Sequence, residues 1–316
     1  MQQSTAIIGS GIGGIAAAIR LSAKGHKVQV FEKAGKPGGK ISERHQQGYR
    51  FDTGPSLFTL PELVDELFRI CGEKPEDHFS YQRLDASCRY FWDDGSRLTA
   101  WHDSERFALE AEQLTGVPGQ KVLAYLKKSQ RLYALTAEVF LFNSFHKWKN
   151  YLKPAYRRSL LHLHELDAFT SMHTKNSEWF SHPKLVQLFD RYATYNGSNP
   201  WKAPATLNII AHLEHNLGAY FPKKGMYHIV QSLYQLALRQ GVEFYFNSPV
   251  ERILTENSAV KGLISQEKIY PTDSIVSNID VINLYQQLLP EIPLPRAQAS
   301  QDRSSSALIF YWGIDR

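Results

Sequence analysis

The sequence predicts an α/β fold in which a parallel sheet is interrupted by a long helical insertion. Three observations support this prediction: a glycine-rich turn joins a strand to a helix near the start of the chain, residues 103–216 show helical periodicity almost throughout, and α/β patterning returns afterwards. With 316 residues, 43% of them hydrophobic and 21% charged, the chain is long enough for two domains, and its composition excludes disordered and fibrous classes.

A β-α-β unit is expected at the start of the chain. A short apolar strand precedes Gly9, Gly11 and Gly14, which open a helix, and a second strand ends at Glu32. The first glycine permits a tight turn, the second lets a pyrophosphate approach the backbone, and the third lets the helix pack closely on the sheet. Glu32 is placed to bind a ribose 2′-hydroxyl and to repel a 2′-phosphate. We therefore predict a Rossmann-like dinucleotide site rather than a turn that binds nothing.

The later elements follow from the same kinds of pattern. They are, in order, a helix over 61–71, a hairpin over 89–101, the helical insertion, a helix over 225–240, a strand over 242–246, a hairpin over 250–264 and a strand over 274–277. We assign 1–80 and 218–280 to a discontinuous nucleotide-binding domain, and 81–217 with 281–316 to a second, largely helical domain.

The net charge and the distribution of basic residues limit which classes of partner the chain is expected to bind. The net charge of +5 permits an anionic surface, and residues 139–164 hold no Asp or Glu. Basic and aromatic side chains alternate there: Phe145, Lys147, Trp148, Lys149, Tyr151, Lys153, Tyr156, Arg157 and Arg158. Such a face either docks on a membrane surface or is a solvated basic helix over a core. Nucleic acid is not expected, because no base-reading motif accompanies the charge.

Several kinds of site are not expected. The cysteines Cys71 and Cys88 have no metal-like spacing and are expected to be reduced thiols, and the order His212-Leu213-Glu214-His215 does not match a zinc-protease helix. No metal site and no transmembrane helix are predicted, and the start of the chain lacks the charged region of a signal peptide. We therefore expect a cytoplasmic protein.

The residues after Glu32 resemble those of a known family. A second glycine pair, Gly38-Gly39, is followed by Lys40, and residues 51–56 read Phe-Asp-Thr-Gly-Pro-Ser. The first feature is similar to FAD enzymes of the amine oxidase and protoporphyrinogen oxidase superfamily. The second resembles carotenoid desaturases of the bacterial phytoene-desaturase type. The resemblance spans nearly the whole chain in family order, through 191–200, 203–206, 212–214, 218–223, 225–227, 250–253 and 276–278.

This resemblance implies an FAD cofactor. The residues expected to hold it are Gly9, Gly11, Gly13, Gly14, Glu32, Lys33, Gly38, Gly39, Lys40, Thr53, Gly54, Pro55 and Val250. The segment from Tyr220 to Gly225 is expected near the isoalloxazine ring. The sequence has no second dinucleotide fingerprint of the kind that binds a pyridine nucleotide, so NAD(P)H is not expected to bind.

The same resemblance implies a function. A carotenoid desaturase of this type introduces double bonds into acyclic carotenoids, removing one hydrogen as hydride to flavin N5 and a vicinal one as a proton. Because the reacting carbon is allylic, a weak base suffices, and no catalytic residue is identified. Arg191, Tyr192 and Tyr195 are candidates to line the substrate channel, or are ordinary packing residues. The lipophilic carotenoid comes from a bilayer, which implies peripheral membrane association, and the electron acceptor is oxygen or a quinone.

Three other functions remain open. A 1-hydroxycarotenoid 3,4-desaturase is a close second, because residues 51–60 and 196–215 are more similar to desaturases that act on hydroxylated acyclic ends. The others are an amine-oxidase-like flavoenzyme and a non-catalytic prenyl- or lipid-binding protein of the GDP-dissociation-inhibitor kind. Bound flavin distinguishes the last of these from the enzymes.

Two features depart from the family pattern. Lys224 stands where the family has a glycine, and a lysine there is strained if the backbone needs a positive φ. Family members also continue past residue 316 into a glycine-rich segment that completes the flavin site. The resemblance thus implies a C-terminally truncated sequence from which that flavin-completing segment is missing.

Overall fold

The computed structural model describes residues 2–144, 147–301 and 303–314. The chain forms two compact units. The first unit consists of Met1–Gln82, Phe221–Asp302 and Phe310–Arg316, and the second unit of Arg83–Tyr220 and Arg303–Ile309. The fold is mixed α/β with a parallel sheet, which confirms the predicted class.

The strands and helices are numbered along the chain. The strands are β1 Ser4–Ile8, β2 Lys27–Phe31, β3 Ser42–Gln46, β4 Tyr49–Thr53, β5 Tyr81–Arg83, β6 Ala86–Phe91, β7 Arg97–Trp101, β8 Tyr220–Pro222, β9 Glu243–Tyr245, β10 Val250–Glu256, β11 Ala259–Ser265, β12 Lys268–Pro271 and β13 Ser274–Ser277. The α-helices are α1 Ile12–Ser22, α2 Glu62–Ile70, α3 Ser104–Thr115, α4 Gly119–Phe140, α5 Pro154–Leu161, α6 Met172–Trp179, α7 Pro183–Asp190, α8 Ile209–Ala211, α9 Tyr227–Arg239, α10 Val281–Asn283 and α11 Arg296–Ala299. Short 3-10 helices occupy Pro75–Asp77, Trp148–Leu152, Leu163–Glu165, Arg191–Asn196 and Ala205–Asn208, and π-helix occupies His212–Leu217 and Leu284–Leu288.

A parallel sheet of strand order β13–β1–β2–β9 organises the first unit. Ile7 in β1 pairs with Val276 on one side and with Val30 on the other. Ile7 and Val30 are completely buried, because both faces of the central strands are covered, and this explains their apolar sequences. The carboxyl ends of the parallel strands meet at one edge of the sheet, where ligands bind in folds of this kind.

Two antiparallel structures accompany this sheet, the hairpin β3–β4 and the sheet β10–β11–β12. The hairpin predicted over 250–264 is present as β10 and β11, and β12 adds a third strand that the sequence did not suggest. β12 has only four residues and ends at Pro271, so it carries little strand signal of its own. Its pairing with β11 makes it a strand.

The boundary after residue 280 differs from the predicted one. The described residues 281–301 lie in the first unit, whereas the sequence pattern assigns them to the helical domain. Leu288 is only 5% exposed and belongs to the same buried cluster as Ile8 and Phe31 of the sheet. A short apolar segment does not specify which surface it will cover, so its pattern alone could not locate it.

The second unit is mostly helical and includes the hairpin β6–β7. Its core contains the completely buried side chains Phe107, Val122, Leu185 and Phe189. Within the helical insertion, residues 191–217 form 3-10 and π turns as well as α8, which changes the register of the side chains they carry. Across the described ranges, we find no helix with both the length and the apolar character needed to cross a bilayer.

Candidate functional site

The glycine-rich turn lies at the carboxyl end of β1. Gly9 has φ +93°, a conformation that other residues rarely adopt, and its N–H donates to the Phe31 carbonyl at 2.8 Å. A Cβ on Gly14 would lie 2.0 Å from the Gly9 carbonyl oxygen, so only glycine lets α1 approach the strand this closely. Gly11 is the N-cap residue of α1. The turn therefore presents the N-terminus of an eleven-residue helix, whose free N–H groups and dipole stabilise an anion.

Glu32 is held in place directly after β2. It is 7% exposed, and its Oε2 accepts hydrogen bonds from the Ser10 N–H and hydroxyl at 2.8 and 2.9 Å. Its Oε1 accepts from the Ala34 N–H at 2.9 Å. A carboxylate oriented by three donors is a fixed acceptor for ribose hydroxyls and repels a phosphate placed beside it. The sequence does not single out Ser10, because a serine between glycines carries no distinctive signal.

These elements border an open cleft of about 610 Å³ within the first unit, which we call the glycine cleft. The predicted cofactor residues that line it are Gly9, Gly11, Gly13, Glu32, Lys33, Gly38, Gly39, Lys40 and Val250. Thr53, Gly54 and Pro55 are not among its lining residues. A Cβ on Gly54 would lie 2.0 Å from the Lys40 carbonyl oxygen, so Gly54 packs behind the turn that carries Lys40. Gly14 also lies behind the lining residues, where it joins helix to strand.

Polar side chains that follow β13 complete the lining of the cleft: Asn278, Asp280, Asn283 and Gln287. The Asn278 amide lies across the glycine turn. Its nitrogen is 2.8 Å from the position of a Cβ on Gly11, and its oxygen is 2.7 Å from that of a Cβ on Gly13. From the sequence alone, Asn278 contributes only to the family resemblance. Knowledge of the strand order would have identified it, because a residue after β13 lies beside the turn after β1 when the two strands are parallel neighbours.

The departure from the family pattern at Lys224 introduces no strained backbone. Among the described residues with positive φ, Lys224 does not occur, whereas Gly225 has φ +91°. A Cβ on Gly225 would lie 2.2 Å from Arg50 and 2.7 Å from Asp52. The Arg50 guanidinium donates to the Lys224 carbonyl at 2.9 Å. The strain considered for this lysine is therefore absent, because the following glycine supplies the left-handed conformation.

A buried ion pair forms the polar centre of the second unit. The Glu214 side chain has no exposed area and accepts hydrogen bonds from Arg191 Nη2 at 2.9 and 3.1 Å. Tyr195 donates to it at 2.6 Å and Ser87 at 2.8 Å. Burial alone would raise the pKa of Glu214, but the Arg191 charge and the Tyr195 hydrogen bond bring that pKa below its ordinary value. Glu214 is thus an ionised and fully engaged acceptor.

The three residues predicted to line a substrate channel are neighbours in this region. Tyr195 is 40% exposed, and Arg191 lines a groove on the second unit. Tyr192 is completely buried and packs against Phe189, and burial raises the pKa of its hydroxyl well above the ordinary value. A side chain with no exposed area is a core residue, so the packing alternative describes Tyr192. The sequence could not pair Glu214 with Arg191, because their contact depends on how the intervening turns fold.

Comparison with known proteins finds relatives along nearly the whole chain. The chain is 43% identical over 310 residues to a 1-hydroxycarotenoid 3,4-desaturase of Flavobacterium sp. (strain P99-3), and 30% identical over 312 residues to a zeta-carotene-forming phytoene desaturase of Myxococcus xanthus. Both alignments cover 98% of this chain, and they cover 63% and 60% of the relatives. The chain therefore spans about three fifths of the length of the curated relatives it matches.

Solved structures share the fold at low sequence identity. An oxidoreductase from Methanosarcina mazei has a TM-score of 0.61 at 16% identity, with 92% of this chain and 62% of that chain covered. Putrescine oxidase bound to putrescine has a TM-score of 0.62 at 15% identity, with 95% and 63% covered. At this level of identity the likeness concerns the fold alone.

The first unit fits the adenosine diphosphate part of a flavin adenine dinucleotide. Its bare glycine backbone and the N-terminus of α1 suit a pyrophosphate, and Glu32 suits the adenosine ribose. The family model of flavin containing amine oxidoreductases matches residues 12–309. The chain therefore belongs to the flavin containing amine oxidoreductase family, whose cofactor, FAD, is the one its cleft suits.

Proposed function

We propose that this chain provides the cofactor-binding and substrate-binding parts of an FAD-dependent carotenoid desaturase, an oxidoreductase that acts on CH–CH groups of acyclic carotenoids. One observation carries the proposal: the glycine-lined cleft of the first unit occurs in a chain that is similar to carotenoid desaturases over 98% of its length. The cleft accounts for the cofactor, and the similarity supports the class of substrate.

The protein's part in this chemistry is to bind and to orient. Bound FAD would supply the hydride acceptor. In the first unit, the glycine turn would hold its pyrophosphate and Glu32 would hold its ribose. In the second unit, Glu214 is neutralised by Arg191 and receives the Tyr195 hydroxyl, so it acts as a structural anion rather than a free base. Loss of hydride from an allylic carbon delocalises the positive charge, and for this reason the substrate requires no strong base.

A 1-hydroxycarotenoid 3,4-desaturase is the second candidate. The chain is 43% identical to a relative of that name and 30% identical to the phytoene desaturase, over alignments of similar length. This difference favours a substrate with a hydroxylated end. The electron acceptor belongs to the same proposal and is oxygen or a membrane quinone.

Anaerobic flavin reduction by defined substrates tests both candidates. The purified chain is reconstituted with FAD and mixed with liposomes that hold phytoene or a 1-hydroxylated carotenoid, while flavin and polyene absorbance are recorded together. We expect flavin bleaching with new polyene bands, and bleaching by the hydroxylated substrate alone selects the second candidate. Bleaching by putrescine but by neither carotenoid overturns the proposal, as does failure to bind flavin. Readmission of oxygen or a quinone then identifies the acceptor from the rate of reoxidation.

We also propose that the second unit docks on a membrane surface, from which a lipophilic carotenoid is drawn. Exposed apolar side chains concentrate in one stretch of it: Phe140, Leu141, Phe142, Trp148, Leu152, Leu160 and Leu161. Exposed basic side chains alternate with them: Lys147, Lys149, Lys153, Arg157 and Arg158. Apolar groups that enter the headgroup boundary, together with cations that contact anionic lipid, are the combination that binds bilayers.

Two residues predicted for this face are not part of it as described. Tyr156 is 2% exposed and its hydroxyl donates to the Val139 carbonyl at 3.2 Å, so it faces the core because its polar end finds a partner there. Phe145 lies outside the described residues. Trp148, at 69% exposed, and Leu161, at 77%, are large apolar side chains of this stretch that a bilayer can reach.

Vesicle flotation tests the docking surface. We expect the chain to float with vesicles that contain anionic lipid and to be released by salt, since each basic residue near such a surface contributes about 1 kcal/mol. The double change Trp148→Ala with Leu161→Ala should abolish flotation. Phe91→Ala is the matched control, because Phe91 is 65% exposed but lies outside this stretch. Equal flotation of all three proteins contradicts the proposed surface.

A further inference from the structure

A second concave surface lies within the second unit, beside the ion pair. It is an open groove of about 620 Å³, bordered by α6, α7 and the turns that follow them. One part of its wall is apolar and includes Phe180, Val186 and Trp201. The other part carries polar side chains, of which His173 and Arg191 decide what the groove can bind.

His173 is oriented by a chain of buried hydrogen bonds. Its Nδ1 contacts Asp190 Oδ2 at 2.6 Å, and Asp190 Oδ1 accepts from the Asn176 amide at 2.9 Å. Asn176 has no exposed area and accepts in turn from the Tyr125 hydroxyl at 2.8 Å. A carboxylate only accepts hydrogen bonds, so Nδ1 carries the proton that binds Asp190, and Nε2 is the ring nitrogen left to meet a ligand. The His173 ring stacks on Trp201 with centroids 4.6 Å apart.

The charges around the groove favour a neutral ligand. Arg191 and Asp190 both line the groove, and each is paired within the protein. The Arg191 guanidinium donates to Glu214 at 2.9 and 3.1 Å, so a ligand carboxylate or phosphate finds no unpaired positive charge. The Asp190 carboxylate contacts His173 and accepts from the Asn176 amide, so a ligand cation finds no unpaired negative charge. A hydroxyl is a neutral group that both donates and accepts hydrogen bonds, so it suits His173 Nε2 as a partner.

We propose that this groove binds the hydroxyl end of a neutral amphiphile, with the hydroxyl hydrogen-bonded to His173 Nε2 and the apolar chain lying along Trp201 and Val186. The inference deepens the proposed function and rests on it in one respect: it makes the natural ligand the hydroxylated end of a carotenoid. The groove is present in the fold whether or not the flavin reaction occurs. Binding is therefore measured without turnover, so that failure of one proposal is distinguishable from failure of the other.

Quenching of tryptophan fluorescence measures binding to the whole chain, with all-trans-retinol as the neutral alcohol. The comparison ligands share its polyene and carry a carboxylate, an amine or no polar group. We expect saturable quenching by retinol that is largely lost in Trp201→Phe, and an affinity at least tenfold above that for the hydrocarbon, since one hydrogen bond corresponds roughly to that factor. His173→Phe keeps a ring beside Trp201 but removes Nε2, the atom that would hydrogen-bond to the hydroxyl. It should lower the affinity for retinol about tenfold and leave the hydrocarbon unchanged.

The matched control is His164→Phe, because His164 is exposed and lies outside the groove. A second measurement uses the unaltered chain: diethyl pyrocarbonate should modify His173, whose side chain is 32% exposed, and retinol but not the hydrocarbon should protect it. Equal affinity for alcohol and hydrocarbon overturns the inference, as does tighter binding of the acid or the amine. Absence of protection by retinol overturns it even if His173→Phe does not fold.

Discussion

The two units build their polar sites in opposite ways. The glycine cleft of the first unit rests on a turn, a helix terminus and Glu32, all within the first 32 residues, and its chemistry is mostly that of the backbone. The ion pair of the second unit is made by side chains, and one of its hydrogen bonds joins Ser87 to Glu214 across 127 positions. A site built on backbone is recognisable from a local pattern, whereas a site built on side chains exists only after the chain has folded.

The two sites should therefore fail for different reasons. The turn behind the cleft has no room for a Cβ at Gly14, because that atom would lie 2.0 Å from the Gly9 carbonyl oxygen. The ion pair tolerates no lost charge, because Glu214 is the partner of a half-buried guanidinium. The predictions that follow use this difference, beginning with the largest expected effect.

Removal of the buried carboxylate should have the largest effect. Glu214→Ala leaves Arg191 without its counter-charge, and loss of one partner of a buried pair destabilises by about 3–4 kcal/mol. Urea unfolding monitored by fluorescence measures the change in the free energy of unfolding. The control is Glu178→Ala, which breaks an exposed pair with Lys175 and should leave the midpoint unchanged. Equal midpoints for all three proteins would show that the ion pair contributes nothing.

Addition of one methyl group should disrupt the cleft. In Gly14→Ala the new Cβ would collide with the Gly9 carbonyl, so we expect a loss of about 3 kcal/mol in unfolding free energy and of ADP binding by calorimetry. Gly25→Ala is the matched control: Gly25 has φ +87° but nothing within 4 Å of an added Cβ. It should lose only about 1 kcal/mol and bind ADP normally. Normal ADP binding by Gly14→Ala contradicts this account of the turn.

Acid should weaken the second unit through His215. Burial lowers the pKa of His215 to about 4, whereas an unfolded histidine titrates near 6.5. Between these values the unfolded state binds more protons, so stability falls as the pH decreases through this window, by about 3 kcal/mol in total. Below about pH 4 the folded form is protonated as well, and this contribution levels off.

Unfolding measured from pH 7 to pH 4 tests this dependence. His215→Phe should make the profile clearly less steep between pH 6.5 and pH 4, because the ring with the pKa of about 4 is gone. A smaller slope remains, because burial also lowers the pKa values of His102, His212 and His228. His164→Phe replaces an exposed histidine and should leave the profile unchanged. A profile that is identical in His215→Phe and in the unaltered chain assigns the acid sensitivity to other groups.

The smallest effect is expected from single hydroxyls. Ser10→Ala removes one hydrogen bond to Glu32. The change should weaken ADP binding severalfold, which corresponds to about 1 kcal/mol, and should reduce the preference of the cleft for ADP over 2′-phospho-ADP. Ser87→Ala removes one hydrogen bond to Glu214 and should lower stability by a similar amount without changing ADP binding. If Ser87→Ala weakened ADP binding as much as Ser10→Ala, the two sites would not be independent.

Much of the first unit could be predicted from the sequence. The glycine turn, its flanking strand and helix, and Glu32 follow from rules that act over a few residues, such as side-chain period and the need for glycine at a tight turn. The hairpins β6–β7 and β10–β11 also follow from alternation and turn residues. These features are determined by the sequence itself, because their physical causes lie between neighbours in the chain.

Other features were decided only by the tertiary structure. Asn278 reaches the cleft because β13 pairs beside β1, Leu288 is buried because the sheet offers it a surface, and Glu214 meets Arg191 because π and 3-10 turns bring them together. Tyr192 and Tyr195 lie three residues apart, yet one is buried and the other is 40% exposed. Each of these outcomes depends on contacts between segments far apart in the chain, and a local pattern carries no information about which distant surface will cover it.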